Sequence, residues 1–175
     1  MLSPLRRAAA LSALAALLLL SCGSEQLGKP DDEVRANAVV DRVVDGDTLV
    51  VDTDGVEERV RLIGIDTPES VDPNRPVMCF GKEATAHLNE LVPPGTPVRL
   101  ERDVEARDRY DRLLAYVFRS ADGEFVNLAM VRDGFADQYT FPPNVEHTST
   151  FRAAAREARA GGVGLWGACT EPFEQ

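Results

Sequence analysis

The sequence is short of histidine and cysteine, the side chains from which proteins build zinc and other soft-metal sites. Its 175 residues include two histidines and three cysteines. None of them are spaced closely enough along the chain to form a zinc motif. A site based on thiolate or imidazole ligands is therefore disfavoured, and a metal would have to bind the oxygens of acidic side chains.

Basic residues are also scarce. The chain has 19 lysines and arginines against 29 acidic residues, which gives a net charge of −10. Residues 1–21 contain two of the arginines and no acid, so the remaining 17 basic and 29 acidic residues give a net charge of −12. Nucleic-acid-binding proteins usually carry basic surfaces, because phosphates attract them. Long-range attraction to nucleic acid should therefore be poor.

An apolar run long enough to span a membrane is missing as well. The longest runs from Ala8 to Leu20, 13 residues that include one serine, whereas a spanning helix needs about 20. Arg6 and Arg7 precede this run, and the sequence becomes polar directly after Cys22. This pattern predicts an export signal over residues 1–21.

The end of the signal suggests how the exported protein is anchored. Residues 19–22, Leu-Leu-Ser-Cys, resemble a bacterial lipobox, in which the cysteine carries the lipid. We therefore expect lipid attachment at Cys22 and a cell-surface, membrane-anchored lipoprotein. The alternative is a secreted protein cut near Ser21. A lipid on Cys22 is the only membrane contact that the sequence predicts, and no obligate protein partner is evident.

The rest of the chain divides into a tether, one domain and a tail. Residues 22–36 are polar and predict a flexible tether, residues 37–168 form the folded domain, and residues 169–175 form a short tail. Cys79 and Cys169 are the cysteines left after Cys22. In an exported chain two such cysteines are expected to pair, although two free thiols remain the alternative.

Alternating apolar residues and turn signals predict the elements of the domain. Five strands are predicted, at residues 37–44, 48–52, 57–65, 98–102 and 113–119. Three helices are predicted, at residues 81–92, 125–132 and 151–160, with Asn144 as a plausible N-cap of the last. This order favours an α+β fold, a five-stranded OB-type Greek-key β-barrel with three helices. The spacing also permits another small α+β fold.

Acidic side chains cluster where predicted strands pass into loops. Asp47, Asp66 and Glu69 occupy such corners, and hard oxygen ligands of this kind suit calcium. Arg61 and Arg112 complement them, because a guanidinium can bind a phosphate through two parallel hydrogen bonds. The five-residue spacing of Arg61 and Asp66 would place them on opposite faces of one strand, unless a loop interrupts the alternation.

These residues lie in three motifs, whose order and separation are specific in combination. They read D-G-D-T at residues 45–48, R-x-x-G-I-D-T-P-E at 61–69 and Y-x-R at 110–112. Over about residues 37–167 the sequence resembles the thermonuclease (staphylococcal nuclease) family. The resemblance implies an OB-type barrel and calcium-dependent endonucleolytic hydrolysis of DNA and RNA, which leaves 3′-phosphate ends.

The resemblance also implies roles for individual residues. Asp47, Asp66 and the carbonyl of Thr67 match the family's metal ligands. Glu69 matches the carboxylate that orients or deprotonates the attacking water.

Other positions match groups that contact the substrate. Arg61 and Arg112 match the arginines that bind the scissile phosphate, and they complete the catalytic set with Glu69. Arg109, Tyr110 and Tyr139 match substrate-binding positions.

Three features depart from the family pattern. Asp111 stands where glycine is common, so a negative charge adjoins Arg112 in sequence. Phe141 stands where a tyrosine would offer a hydroxyl, and the chain is acidic overall. These departures predict weaker binding of single-stranded DNA and RNA, not loss of the chemistry. The main alternative is a non-catalytic OB-fold module that binds nucleic acid or protein. A calcium-binding surface lipoprotein is a third hypothesis.

Overall fold

The computed structural model describes residues 34–70 and 76–170. The predicted export signal, Cys22 and most of the predicted tether lie outside the described residues. Residues 71–75 and 171–175 also lie outside them. Among the described residues, no helix is both long and apolar enough to cross a membrane.

A closed five-stranded barrel forms the body of the domain, as the sequence predicts. Its strands are β1 (Ala38–Asp45), β2 (Thr48–Thr53), β3 (Val56–Leu62), β5 (Pro97–Glu101) and β6 (Leu113–Arg119). The strands pair in the order β1-β2-β3-β6-β5, and β1 closes on β5. The β3–β6 pair is parallel and the other pairs are antiparallel.

The barrel forms because its strands carry regularly placed aliphatic residues. Leu49 and Val51 of β2 and Val60 and Leu62 of β3 are at most 1% exposed. Each such side chain contributes about 1.5–3 kcal/mol relative to an exposed one. Asp54 and Gly55, both at positive φ, make the tight turn between these strands.

The three predicted helices are present, together with a short helix and a two-stranded sheet that were not predicted. The helices are α1 (Gly81–Leu91), α2 (Val126–Arg132) and α3 (Thr148–Gly161). A fourth helix, α4 (Leu165–Ala168), has only four residues. A separate two-stranded sheet joins β4 (Ile65–Asp66) to β7 (Asp137–Gln138).

The predicted N-cap at Asn144 is wrong. Helix α3 begins at Thr148, and His147 occupies the N-cap position. Asn144 is buried, and its amide accepts a hydrogen bond from the backbone N–H of Glu105 at 2.8 Å and donates one to the Glu105 carbonyl at 3.1 Å. Its polar atoms thus bind the backbone of a distant loop instead of the first turn of the helix.

The structure joins Cys79 and Cys169 by a disulfide, across a sequence separation of 90. This confirms the predicted pairing. The bond links the residues just before α1 to the end of α4. It therefore ties the C-terminal end of the described domain to the loop that follows β4.

Candidate active site

A single cleft of about 660 Å³ lies at one end of the barrel. It is bordered by the β1–β2 turn, the end of β3, the loop after β4, the loop before β6 and the residue after β7. Every predicted catalytic, metal-binding and substrate-binding residue lines it: Asp47, Arg61, Asp66, Thr67, Glu69, Arg109, Tyr110, Arg112 and Tyr139. Residues far apart in sequence thus meet in one place.

Asp47 is fixed by the turn between β1 and β2. It is 7% exposed, and its Oδ2 accepts hydrogen bonds from the backbone N–H and the hydroxyl of Thr67, both at 3.2 Å. The turn needs glycine at position 46, because a Cβ there would lie 2.7 Å from Oγ1 of Thr67 and 2.9 Å from Cβ of Ala84. The turn therefore packs directly against the loop after β4.

Arg61 and Asp66 meet despite their odd spacing, because the strand is interrupted between them. Strand β3 ends at Leu62, and Gly64 follows with φ +84°. A Cβ at Gly64 would lie 2.3 Å from the ring of Phe151. Nη2 of Arg61 consequently donates to Oδ1 of Asp66 at 2.9 Å. The predicted third strand, which ran to residue 65, was too long.

The same guanidinium reaches a second carboxylate. Nη2 of Arg61 lies 3.0 Å from Oδ2 of Asp47, and Nη1 donates to the carbonyls of Leu62 at 2.8 Å and Ile65 at 3.0 Å. The two carbonyls fix the plane of the guanidinium. A cation bound by the two carboxylates would compete with Nη2 for their oxygens.

The cleft holds more negative charge than Arg61 compensates. Burial, with the nearby charges of Asp47, Asp137 and Asp45, raises the pKa of Asp66 to about 6 in spite of Arg61. Burial and the charge of Asp47 likewise raise the pKa of Asp45 to about 6. Both carboxyl groups therefore take up a proton at a higher pH than an exposed aspartate does.

The donor set fits a hard divalent cation in its chemistry. Asp47 and Asp66 offer carboxylate oxygens, the ligands that such cations prefer. Among residues 34–70 and 76–170, however, no group of three or more acidic, histidine or cysteine side chains could by itself enclose a metal. Backbone carbonyls or water would have to complete the coordination.

Glu69 lies beside these carboxylates, in the loop after β4. Its Oε1 accepts a hydrogen bond from the backbone N–H of Ser70 at 2.8 Å, and its carbonyl accepts one from Met78 at 2.9 Å. Both bonds hold the half-buried residue against the wall of the cleft.

Asp108 orients Arg112 on the opposite wall. Its Oδ2 accepts from Nε of Arg112 at 2.7 Å and its Oδ1 from the backbone N–H of Arg112 at 3.0 Å. Partial burial raises the pKa of Asp108, but these bonds and one from the backbone of Tyr110 outweigh burial and lower it. Arg112 therefore has both a structural partner and a place in the cleft.

Tyr110 carries two guanidinium groups near its ring. The Cζ atoms of Arg109 and Arg112 lie 4.7 and 5.5 Å from the ring centroid. Nη2 of Arg109 donates to the tyrosine hydroxyl at 2.6 Å. Tyr110 is 64% exposed, so its ring is available to a ligand.

Asp111 does not contact Arg112 through its side chain, although it precedes it in sequence. Its Oδ1 lies 3.7 Å from Nη1 of Arg107, and the side chain is 89% exposed. Its φ is +62°, a conformation that glycine adopts with less strain. Solvent and the positive charge of Arg107 therefore weaken the repulsion between Asp111 and a phosphate bound at Arg112.

An adjoining pocket of about 480 Å³ shares five residues with the cleft: Arg61, Arg109, Tyr110, Arg112 and Tyr139. Tyr139 and Phe141 border it with nearly parallel rings, 6.3 Å apart at an interplanar angle of 22°. Phe141 is 63% exposed. The two aromatic rings thus form an open edge beside the carboxylates.

Sequence reasoning missed three acidic residues of the site. Asp45 could have been found, because it is the first acid of D-G-D and points to the same turn. Asp108 lies just before the Y-x-R motif at residues 110–112, and its side chain forms an ion pair with Arg112. Asp137 lies opposite Asp66 in the β4–β7 pair, and no local signal marks it.

Comparisons with known proteins agree with this geometry. The family model described as staphylococcal nuclease homologue matches residues 59–168. A thermonuclease of Staphylococcus intermedius is 39% identical over 145 residues, which cover 82% of this chain and 84% of the relative. A thermonuclease of Staphylococcus hyicus is 39% identical over 125 residues, 71% of this chain and 72% of the relative.

A third relative, slightly less similar in sequence, is also named as a nuclease. The endonuclease YncB of Bacillus subtilis is 37% identical over 132 residues, 74% of this chain and 61% of the relative. The family model covers more than half of the chain, and it includes the arginines, Asp66 and Glu69. The chain therefore belongs to the thermonuclease (staphylococcal nuclease) family of nucleases.

Proposed function

We propose that this nuclease is a calcium-dependent endonuclease that hydrolyses DNA and RNA without sequence specificity and leaves 3′-phosphate ends. The observation that supports it best is the convergence of Asp47, Asp66, Glu69, Arg61 and Arg112 on one cleft. Relatives named thermonuclease and endonuclease support the same reaction class.

The arginines bind the phosphodiester in this proposal. Arg112 lines the cleft, and its Nε donates a hydrogen bond to Asp108. Nη1 of Arg61 is anchored by two carbonyls, and its Nη2 is the part that faces the carboxylates. Two fixed guanidiniums stabilise negative charge that grows on the phosphate oxygens in the transition state.

Glu69 takes a proton from the attacking water. A carboxylate held at the edge of the cleft by the N–H of Ser70 is in place to accept it. Asp47, Asp66 and the carbonyl of Thr67 would hold calcium, which supplies electrostatic stabilisation of the phosphate when bound. The raised pKa values of Asp45 and Asp66 support a cation here, because a positive charge would keep both ionised.

The excess of acidic residues lowers the expected affinity for nucleic acid. A net charge of −10 repels nucleic acid at long range, and bound calcium cancels part of the charge at the site. Single strands suit the site best, since Tyr110, Tyr139 and Phe141 are exposed at its edge for contact with unpaired bases.

The proposed location is the cell surface. Export rests on residues 1–21, and anchoring rests on a lipid at Cys22; without that lipid the protein is secreted. The protein would thus act where calcium is available and where nucleic acid arrives from outside the cell.

The test is incubation of purified protein with single-stranded DNA and with RNA, in calcium or in EGTA. Cleavage in calcium alone supports the proposal, and labelling of new 5′-hydroxyl ends identifies 3′-phosphate products. If nothing is cleaved in calcium but the strands are bound, the non-catalytic module replaces the nuclease.

A further inference from the structure

Helix α3 carries three arginines along one flank. Arg152, Arg156 and Arg159 are spaced four and three residues apart, so they lie on neighbouring turns of one face. Within residues 34–70 and 76–170, the side chains of Arg152 and Arg156 form no hydrogen bond or ion pair, and both residues are exposed. We call these two residues the α3 arginine flank.

The α3 arginine flank differs from many arginines of this acidic surface, although Arg59 and Arg102 form no ion pair among the described residues either. Several other arginines of the described domain pair with acidic side chains: Arg42, Arg99, Arg107, Arg119 and Arg132. A chain with 29 acidic residues could readily pair two more. The α3 arginine flank is thus a local positive surface on a negative molecule.

The first turn of α3 lies next to the segment after β7, which carries the aromatic edge of the cleft. Oγ1 of Thr148, at the start of α3, lies 3.5 Å from Oγ1 of Thr140, next to Tyr139. With about 100° of rotation per residue, Arg152 and Arg156 lie about 40° and 80° around the helix from Thr148. Arg152 therefore lies close to the side of α3 that carries Thr148, and Arg156 lies about a quarter turn around the helix from that side.

Arg159, the third arginine on this face of α3, is held by two contacts. It forms an ion pair with buried Asp137, and its Cζ lies 4.5 Å from the ring centroid of Trp166. Asp137 pairs with Asp66 across β4 and β7. Strand β7 thus connects α3 to Asp66 in the cleft. The side chains of Arg152 and Arg156, in contrast, have no acidic partner among the described residues.

We propose that Arg152 and Arg156 bind backbone phosphates of the substrate strand after it leaves the cleft past Tyr139. The inference rests on the proposed nuclease function and adds a second contact surface to it. The two arginines are separated by about 6 Å along the helix axis, which allows contacts to more than one phosphate. This surface offsets the poor long-range attraction of the acidic chain.

The test compares binding of a 20-nucleotide and a 3-nucleotide oligothymidylate by fluorescence anisotropy in EGTA, over a range of salt concentrations. Each phosphate neutralised on a single strand contributes about 0.7 to the slope of log affinity against log salt. The double variant Arg152→Gln/Arg156→Gln should lower the slope for the 20-mer by about 1.4. Its Kd at low salt should rise roughly 5- to 20-fold, with little change for the 3-mer.

Arg35→Gln/Arg99→Gln is the matched control. These residues line a groove that shares no residue with the cleft, and the variant changes the net charge equally. It should leave the 20-mer slope unchanged. Equal slopes in wild type and Arg152→Gln/Arg156→Gln would overturn the proposal, as would an equal loss in the control.

A membrane could also attract an arginine flank, so phosphatidylglycerol vesicles provide a third arm. Loss of vesicle binding with an unchanged DNA slope would assign the flank to lipid headgroups and overturn the proposal. Cleavage is measured separately in calcium. A wild type that binds the 20-mer through the flank but does not cut it would refute the proposed nuclease function alone.

Discussion

Asp108 holds Arg112 at two points, with Oδ2 on Nε at 2.7 Å and Oδ1 on the backbone N–H at 3.0 Å. The carboxylate therefore fixes both the side chain and the turn that carries it. Because Arg112 lines the cleft, Asp108 is a positioning residue for phosphate binding.

Replacing Asp108 by asparagine should reduce kcat/KM for single-stranded DNA roughly 10- to 100-fold, since misplaced binding groups cost rate. The loss should vanish in an Arg112→Ala background, where there is no guanidinium to position. Steady-state kinetics of both single variants and the double variant measure this coupling. Additive losses would show that Asp108 acts on the fold instead, which urea unfolding would then reveal.

Substitutions of Asp111 separate the effect of its charge on the KM for DNA from the effect of its backbone strain on the free energy of unfolding. Glycine relieves the strain of φ +62° and alanine does not, so Asp111→Gly should unfold with a free energy about 1 kcal/mol higher than Asp111→Ala. Both variants remove the carboxylate, so both should lower the KM for single-stranded DNA by a similar factor, roughly twofold at low salt. Different KM values in the two variants would contradict this reading.

Asp103 should make the free energy of unfolding fall as the pH is lowered in the acid range. Burial raises the pKa of Asp103, but hydrogen bonds from the backbone of Glu146 and Val104 and from the Tyr116 hydroxyl outweigh burial and lower it. The stabilisation is therefore present above the unfolded pKa of about 3.9 and lost as pH falls through the lower folded value. Urea unfolding between about pH 5 and 2 should show a shallower decline for Asp103→Asn than for wild type; parallel curves would contradict it.

The disulfide should contribute substantially to stability. A bond that closes a loop of this length, Cys79 to Cys169, is worth about 4–5 kcal/mol in the chain-entropy model. Urea unfolding with and without reductant should show this loss, and Cys79→Ser/Cys169→Ser should unfold like the reduced protein. Two thiols that alkylate readily in the exported protein without reductant would contradict the pairing.

Much of the barrel was predictable because its signals are local. The Asp54-Gly55 turn and the aliphatic residues of β2 and β3 identify strands without reference to distant residues. The β4–β7 sheet has two residues per strand, too few for an alternating pattern. Asn144 was misread because its partner, Glu105, lies 39 residues away.

The same distinction applies to the site. The motifs around Asp47 and Asp66 were readable because each is a specific local sequence, D-G-D-T at residues 45–48 and R-x-x-G-I-D-T-P-E at residues 61–69. The hydrogen bond between Arg61 and Asp66 was not, since it depends on the break at Gly64. Asp137 joins the site only through pairing across 71 positions of sequence.

The most direct measurement of the central claim is single-turnover cleavage beside calorimetric calcium titration for wild type, Glu69→Gln and Asp47→Ala. Glu69→Gln should bind calcium and a nucleotide nearly as wild type does but cleave about 10²–10⁴-fold more slowly, with the loss confined to kcat. Asp47→Ala should lose calcium affinity and turnover together. A wild type that cleaves nothing in calcium would contradict the nuclease, and a Glu69→Gln variant as fast as wild type would contradict the role of Glu69.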